Sequence, residues 1–296
     1  MRRLVLACAL ALSVLSSATP AFAESFQSGS LKVDVYGAAG KPALVFIPGL
    51  TCGPWEWSRE IARYAPAYRI YALTLPGFDG QPGAKTPLVT TVEADFWNLL
   101  ETRQIKNPTL IGHSLGGTLA ISLAEQHPDR LRAVIAVDGL PIFPGMDFMS
   151  EAQRNTMAAQ TAAMMAATPQ AQFAESQKRT LPYLVTSPKD VDAIANAAAK
   201  TDPLVAAEWA KEDLLADFRP QLKNAAVPIL EIAPFDPKLD PFGPAKFADA
   251  AAKQRYYESL FAGAPQAKVH VIQPSRHFIM YDQPAALDAA LDAALR

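Results

Sequence analysis

The stretch PTLIGHSLGGTLA, residues 108–120, limits more than any other what this chain can fold into. An apolar run enters a Gly-x-Ser-x-Gly sequence, and a helical pattern follows it. Glycines two residues before and after Ser114 are needed where a strand turns so sharply into a helix that side chains would clash. Such a turn raises the serine hydroxyl above the sheet, near a helix amino end that favours negative charge. The stretch therefore predicts a strand, an exposed serine and a helix over about residues 117–127.

Further apolar runs alternate with helical stretches along the chain. We predict strands at residues 31–36, 43–48, 69–77, 108–114, 133–139, 227–234 and 268–274, and a last helix from residue 284. Several runs, such as ALVFIP and AVIAV, are continuously apolar, which is typical of strands covered on both faces. Strands that alternate with helices indicate an α/β fold, with a mostly parallel, doubly wound sheet between helices.

Residues 141–226 break this alternation. Their pattern is helical without a convincing strand, and the segment is too long for an ordinary connection. We predict a helical cap, inserted over the carboxyl ends of the strands. The core of the fold would then consist of residues 24–140 and 227–296.

A secretory signal is predicted at residues 1–23. Two arginines precede an apolar stretch that ends in Ala21-Phe22-Ala23, which matches an A-x-A cleavage site. The apolar run falls short of the roughly 20 residues that span a membrane. We therefore expect cleavage before Glu24, no membrane anchor afterwards, and a periplasmic or secreted protein. Cys52 is then the only remaining cysteine, which excludes an intramolecular disulfide.

Composition excludes several classes of function. The formal net charge is −2 and half of the residues are hydrophobic, so the chain lacks the basic footprint of a nucleic-acid-binding protein. No metal-ligand spacing or phosphate-binding loop occurs in the sequence. We expect neither a metal nor a cofactor, and a small molecule as the partner.

The chain has four histidines, and elimination leaves one candidate for the base that Ser114 requires. His113 lies within the serine turn, His127 closes the following helix, and His270 lies in the middle of a strand. His277 comes just after the last strand, in a loop at its carboxyl end. Ligands of open α/β sheets bind at that edge, so we predict that His277 is the general base.

These segments together resemble the α/β-hydrolase superfamily. GHSLGG, SRHFIMYDQP and the loop IPGLTCG carry the resemblance, which covers nearly the whole chain after the signal. It implies an α/β-hydrolase-type sheet, Ser114 as nucleophile and His277 as base. It also implies an oxyanion hole made by the backbone N–H groups of Leu50 and Leu115. Many members have His-Gly where this chain has Pro48-Gly49, so the hydrogen bonds that support the loop are not predicted.

The acid that completes a triad has more than one candidate. In the superfamily it usually follows the strand predicted at 227–234, where this chain offers Asp236. The other position in use is the end of the strand after the nucleophile helix, where Asp138 stands in AVDGLP. We favour Asp138 over Asp236, because proline replaces the usual glycine near Asp236 and the spacing is one residue short. Asp240 ranks third.

The substrate pocket is predicted to be apolar and adaptable. The cap is rich in methionine, a side chain that fits irregular spaces, and we expect Met164 and Met165 to face the serine. Trp55 follows the oxyanion loop and is expected to line the pocket as well. Packing between cap helices is the alternative for each methionine.

Together these features predict a secreted serine hydrolase that cleaves small to medium carboxylic esters. Ser114 would attack the carbonyl carbon while His277 takes its proton. A lactone or carbon–carbon bond hydrolase that uses the same triad is an alternative. A non-catalytic binding protein on the same scaffold is another, and a fluorophosphonate probe that labels the serine would distinguish it.

Overall fold

A single sheet forms the centre of the molecule. The computed structural model describes residues 22–239 and 247–296. Eight strands lie in the order β1-β2-β4-β3-β5-β6-β7-β8, with β1 and β2 antiparallel to their neighbours and the rest parallel. The strands are β1 Phe22–Ser28, β2 Leu31–Tyr36, β3 Ala43–Ile47, β4 Arg69–Thr74, β5 Thr109–His113, β6 Ala133–Val137, β7 Ile229–Pro234 and β8 Ala267–Ile272. The predicted mostly parallel α/β sheet is confirmed.

Ten helices accompany the strands in the described parts of the chain. They are α1 Ser58–Tyr64, α2 Leu88–Thr102, α3 Leu115–Gln126, α4 Glu151–Ala166, α5 Phe173–Thr180, α6 Pro188–Ala198, α7 Pro203–Leu215, α8 Ala250–Leu260, α9 Ile279–Asp282 and α10 Pro284–Ala294. None of these helices combines the length and the apolar character that crossing a membrane requires.

The central strands are apolar throughout because both of their faces are covered. In β3, Val45 and Ile47 point into one hydrophobic core, whereas Leu44 and Phe46 point into the core on the opposite face. Successive side chains of a strand alternate between faces, so a strand between two cores has no polar side. This explains why ALVFIP shows a continuous run rather than an alternating one.

Most strand ends differ from the sequence predictions by one to three residues, and a helix start and an edge strand differ as well. Helix α3 begins at Leu115, two residues before the predicted start, because the chain turns into the helix directly at Ser114. Strand β1 was not predicted: it lies at the edge of the sheet, pairs antiparallel with β2, and overlaps the predicted signal at Phe22 and Ala23. The rest of that signal, residues 1–21, lies outside the described residues, as does Asp240.

The segment between β6 and β7, every residue of which the structure describes, contains α4–α7 and short 3₁₀ turns but no strand. Within this segment, Ile142 and Asp217 pair in an isolated antiparallel β-bridge. Trp209 connects this segment to the loop after β4, because its indole N–H donates a hydrogen bond of 3.0 Å to the carbonyl oxygen of Pro76. Residues 141–226 as a separate cap domain remain a prediction.

Candidate active site

Ser114 lies at a strained turn between β5 and α3. Its backbone angles are φ 51° and ψ −123°, in a region that residues with a side chain rarely occupy. A Cβ atom on Gly112 would overlap the carbonyl oxygen of Gly116, and one on Gly116 would overlap that of Ile47. The two glycines therefore allow the turn, and the turn puts Ser114 in the wall of a cavity at the carboxyl end of the sheet.

His277 lies beside this turn, in the loop after β8. Its Nδ1 is 2.5 Å from Oδ2 of Asp138, which follows β6. The hydroxyl of Tyr257 in α8 donates a 2.6 Å hydrogen bond to the other carboxylate oxygen, Oδ1. Burial raises the pKa of Asp138. The hydrogen bond and the charge of His277, with the charge of Lys253 and the hydrogen bond from Tyr257, together outweigh burial, so the pKa is lowered overall. Asp138 is therefore an anion that accepts the Nδ1–H of His277, which leaves Nε2 unprotonated.

Asp236, the alternative acid, has a different partner. Its Oδ2 accepts a 2.9 Å hydrogen bond from Nε of Arg276, and its Oδ1 accepts one from the backbone N–H of Lys238. Arg276 also donates to the carbonyl oxygens of Pro182 and Val185. Asp236 thus anchors the residue before His277 and does not contact the imidazole. The structure brings Asp138, rather than Asp236, to the histidine.

A second histidine, His113, contacts both Glu56 and the backbone of His277. Nδ1 of His113 is 2.6 Å from Oε1 of Glu56, and Nε2 of His113 is 3.1 Å from the backbone oxygen of His277. The other carboxylate oxygen of Glu56 accepts a 3.0 Å hydrogen bond from the N–H of Gly49. Glu56 thereby supports the loop that carries Leu50. The hydrogen bonds that hold this loop were not predicted from the sequence, because Pro48-Gly49 replaces His-Gly.

Two backbone N–H groups are available beside the serine. Leu115 is the first residue of α3, where an N–H has no partner inside the helix. Leu50 lines the same cavity as Ser114. Within the described chain no hydrogen bond is recorded from either N–H, so both are free to bind an oxygen of a ligand.

The cavity has a volume of about 310 Å³ and a mainly apolar lining. Leu50, Ser114, Asp138 and His277 line it, together with His113. The 141–226 segment supplies most of the remaining wall: Phe143, Pro144, Thr161, Met165, Gln177, Thr180, Leu181, Leu184, Ile194, Ala210, Asp213 and Leu214. Catalytic-type groups and an apolar binding space therefore share one cavity.

Of the three predicted substrate-binding residues, Met165 lines this cavity and two do not. The prediction for Met164 is wrong: its side chain is 70% exposed, because successive residues of a helix point about 100° apart. The prediction for Trp55 is also wrong. It is partly buried against the core that contains Trp57 and does not reach the cavity.

Three features of the site were not predicted from the sequence: Glu56, the contacts of His113, and Tyr257. Tyr257 lies 119 positions from Asp138, and no local pattern joins them. Glu56 carried a usable signal, since it stands between two tryptophans in PWEW. A carboxylate in an apolar stretch is rarely buried without a charged or hydrogen-bonding partner.

The family model of the α/β hydrolases matches residues 44–290. The chain belongs to the α/β hydrolase family. That match includes the turn at Ser114, the loop of Leu50 and the loop of His277. Among the described residues no group of three or more histidine, cysteine, aspartate or glutamate side chains is arranged to hold a metal ion.

Several proteins of known structure or activity resemble this α/β hydrolase. The 3-oxoadipate enol-lactonase 2 of Acinetobacter baylyi is 25% identical over 271 residues, which are 91% of this chain and 94% of the lactonase. The pimeloyl-[acyl-carrier protein] methyl ester esterase of Aeromonas hydrophila is 33% identical over 40% of this chain and 45% of the esterase. The enol-lactonase structure from Burkholderia xenovorans superposes with a TM-score of 0.71 at 18% identity, covering 92% of this chain and all of that one. These relatives are hydrolases.

Proposed function

We propose that this hydrolase cleaves small to medium carboxylic esters through an acyl-enzyme on Ser114. One observation carries the proposal: a serine on a strained strand-to-helix turn lines the same cavity as a histidine whose Nδ1 is bonded to a buried carboxylate. This combination of a hydroxyl in a cavity wall, a base and an orienting acid is the arrangement that acyl transfer requires.

In the proposed reaction, Oγ of Ser114 attacks the ester carbonyl carbon and Nε2 of His277 takes the hydroxyl proton. The carbonyl oxygen becomes an oxyanion and accepts hydrogen bonds from the N–H groups of Leu50 and Leu115. When the carbon–oxygen bond to the alcohol breaks, the imidazolium returns its proton to the leaving alkoxide. Water then attacks the acyl group with the same base, and Ser114 is released with its proton.

The charges around His277 fit the role of a base. Burial lowers the pKa of His277, and the neighbouring His113 lowers it further, whereas the Asp138 carboxylate raises it. The net direction is downward, so the imidazole is neutral at neutral pH and can accept a proton. During attack, the Asp138 anion stabilises the imidazolium that forms.

The shape of the cavity supports the substrate class. A volume of about 310 Å³ corresponds to a small or medium ligand. Phe143, Met165 and Leu181 provide an apolar surface for an acyl or alcohol chain. Ester hydrolysis also agrees with the esterase among the relatives, although the match to it spans less than half of that protein.

Lactone hydrolysis is the second candidate. It uses the same nucleophile, base and oxyanion donors, and differs in that the leaving alcohol stays attached to the acyl group. The observation in its favour is that the relative matched over 94% of its own length is an enol-lactonase. Esters and lactones of the same carbon number, compared by kcat/KM, would rank the two activities.

The proposal is tested by covalent labelling and by a substrate series. A fluorophosphonate probe should label the wild-type protein on Ser114 and leave the Ser114→Ala variant unlabelled. The variant should lose several orders of magnitude in turnover of p-nitrophenyl esters of graded chain length while keeping its fold, as other serine hydrolases do. Labelling at another residue, or a variant with a tenth of wild-type turnover, would contradict the assignment.

Export is part of the proposal. It rests on the sequence of residues 1–23 alone. Cleavage before Glu24 would remove Phe22 and Ala23 from β1 and keep the pairing of Glu24–Ser28 with β2. Mass spectrometry of the protein recovered from the periplasm of a Gram-negative host should find Glu24 at the amino terminus.

A further inference from the structure

Asp213 introduces a carboxyl group into the apolar part of the cavity. It lies on α7, and the spacing Ala210, Asp213, Leu214 puts all three residues on one face of that helix. This face forms part of the cavity wall. Asp213 therefore points toward the space that the substrate would occupy.

No partner for this carboxyl group is found among the described residues. Its side chain makes no hydrogen bond or ion pair with the described residues, and no lysine or arginine lines the cavity. The other polar groups contributed by the 141–226 segment, Thr161, Gln177 and Thr180, are neutral. Asp213 is partly buried in this wall, and burial raises the pKa of its carboxyl group to about 7. A carboxyl group held in this way is costly unless a ligand brings the missing partner.

Charge near the reacting end points in the same direction. Asp138 is an anion, and the positive charge of His113 is already matched by Glu56. Lys253 compensates part of the Asp138 charge, but none of the described lysines lines the cavity. An ionised Asp213 therefore leaves the cavity wall with an excess of negative charge. A cation would offset both this excess and the burial of the carboxylate.

We propose that Asp213 binds a protonated amine on the substrate, so that the preferred ester carries an ammonium group away from its reacting carbonyl. This inference rests on the proposed ester hydrolysis at Ser114. Asp213 acts in binding and does not contact the reacting atoms.

Matched esters test the proposal. Four p-nitrophenyl esters of equal chain length would be compared: caproate, ε-aminocaproate, ε-hydroxycaproate and the adipate monoester. Wild type should prefer the amino ester over the caproate ester by roughly tenfold to a hundredfold in kcat/KM, the size expected of a hydrogen bond to a charged group. Asp213→Asn should abolish that preference mainly through KM.

Glu208→Gln is the matched control, because it removes one carboxylate from the solvent-exposed side of the same helix. It should keep the preference. Equal rates for the amino and caproate esters in wild type would overturn the proposal, and a preference for the hydroxy ester alone would replace the cation with a neutral donor. Failure of ester hydrolysis is separable: binding of methyl ε-aminocaproate to Ser114→Ala, measured by calorimetry, should still weaken when Asp213→Asn is added.

A different observation carries a second inference. Both ring nitrogens of His113 face acceptors, the carboxylate of Glu56 and the backbone oxygen of His277. An imidazole can donate from both nitrogens only when it is protonated. Burial lowers the pKa of His113, but the Glu56 carboxylate, with Asp138 and the backbone oxygen of His277, outweighs burial and the pKa is raised. The side chains of His113 and Glu56 are 1% and 0% exposed, so this ion pair is enclosed.

We infer that the Glu56–His113 pair positions both halves of the reaction site, again on the basis of the proposed hydrolysis. Glu56 holds the N–H of Gly49 and thus the loop that presents the Leu50 donor. His113 holds the backbone of His277, and its charge favours the neutral form of that base. Other charged groups lie near His277 as well. Asp138 is bonded to its Nδ1, and the charge of Lys253 in α8 lowers the pKa of Asp138.

The Glu56→Gln variant separates this positioning role from simple packing. It keeps the size of the side chain but leaves His113 neutral. We expect kcat to fall by roughly tenfold to a hundredfold with little change in KM. The acid limb of kcat/KM should move to higher pH. The variant loses the His113 cation, which lowers the pKa of His277, and the Glu56 anion, which raises it by less. Glu60→Gln, which changes another buried carboxyl group nearby, should leave that limb in place.

Wild-type kcat and an unshifted limb in Glu56→Gln would overturn the inference. If Glu56→Gln does not fold, Glu56→Asp retains the charge and should keep the limb at its wild-type position. Nitrogen-15 NMR offers a reading that does not depend on hydrolysis. His113 should show two protonated ring nitrogens at neutral pH in wild type, and a single one would refute the ion pair.

Discussion

Nδ1 of His277 lies 2.5 Å from Oδ2 of Asp138, although the two residues are 139 positions apart in the chain. β6 carries Asp138 to the same sheet edge at which the loop after β8 begins, with β7 between them. Asp138 is 9% exposed and has a positive φ of 49°. A fixed anion beside an imidazole sets the tautomer of the ring.

Asp138→Asn should lower kcat on the order of 10³–10⁴, because the amide cannot hold the imidazole in the reactive tautomer. The measurement is turnover of a p-nitrophenyl ester by the purified variant, with its folding checked by circular dichroism. Asp236→Asn is the control. It loses the ion pair with Arg276 and should cost tenfold or less. The reverse order of the two losses would give the acid role to Asp236.

Tyr257→Phe should reduce kcat by about tenfold. The change removes the 2.6 Å hydrogen bond to Oδ1 of Asp138, and a hydrogen bond to a charged group is worth about 1.5–3 kcal/mol. KM should stay close to wild type, since Tyr257 does not line the cavity. Tyr256→Phe is a neighbouring control whose hydroxyl donates to Asp147 instead. An equal loss in both variants would indicate general damage to α8.

The rate should persist at moderately acidic pH. His277 must be neutral to accept a proton, and burial, reinforced by His113, lowers its pKa below the ordinary value of 6.5. Half-protonation therefore lies below that value, and the acid limb of kcat/KM should have its midpoint below pH 6.5. Titration of the released acid in a pH-stat would measure it. A midpoint at or above 6.5 would show that Asp138 outweighs burial.

Met165→Ala should change chain-length preference, whereas Met164→Ala should not. Met165 lines the cavity and Met164 is exposed. Loss of an apolar contact is worth roughly 1–3 kcal/mol in discrimination between substrates that differ by a methylene. The measurement is kcat/KM for esters of graded acyl length in the two single variants. An unchanged profile in Met165→Ala would mean that the acyl chain lies along another wall.

Much of this architecture could be predicted because it depends on local rules. Continuous apolar runs identify strands covered on both faces, and the predicted strand at 31–36 agrees with β2 at both ends. The Gly-x-Ser-x-Gly spacing follows from the sterics of one turn, so Ser114 could be predicted as the nucleophile from the sequence. His277 could be chosen because the carboxyl end of a parallel strand has a known position in the fold.

The remaining assignments depend on which distant residues meet. Asp138 and Asp236 both follow strands, and only the tertiary arrangement gives one to His277 and the other to Arg276. Met164 and Met165 are adjacent in sequence, yet the rotation of α4 against its neighbours turns one to solvent and the other to the cavity. Glu56 and Tyr257 acquire their partners in the same way. Local sterics and periodicity are written along the chain, whereas side-chain pairing is decided by packing between elements that are far apart in it.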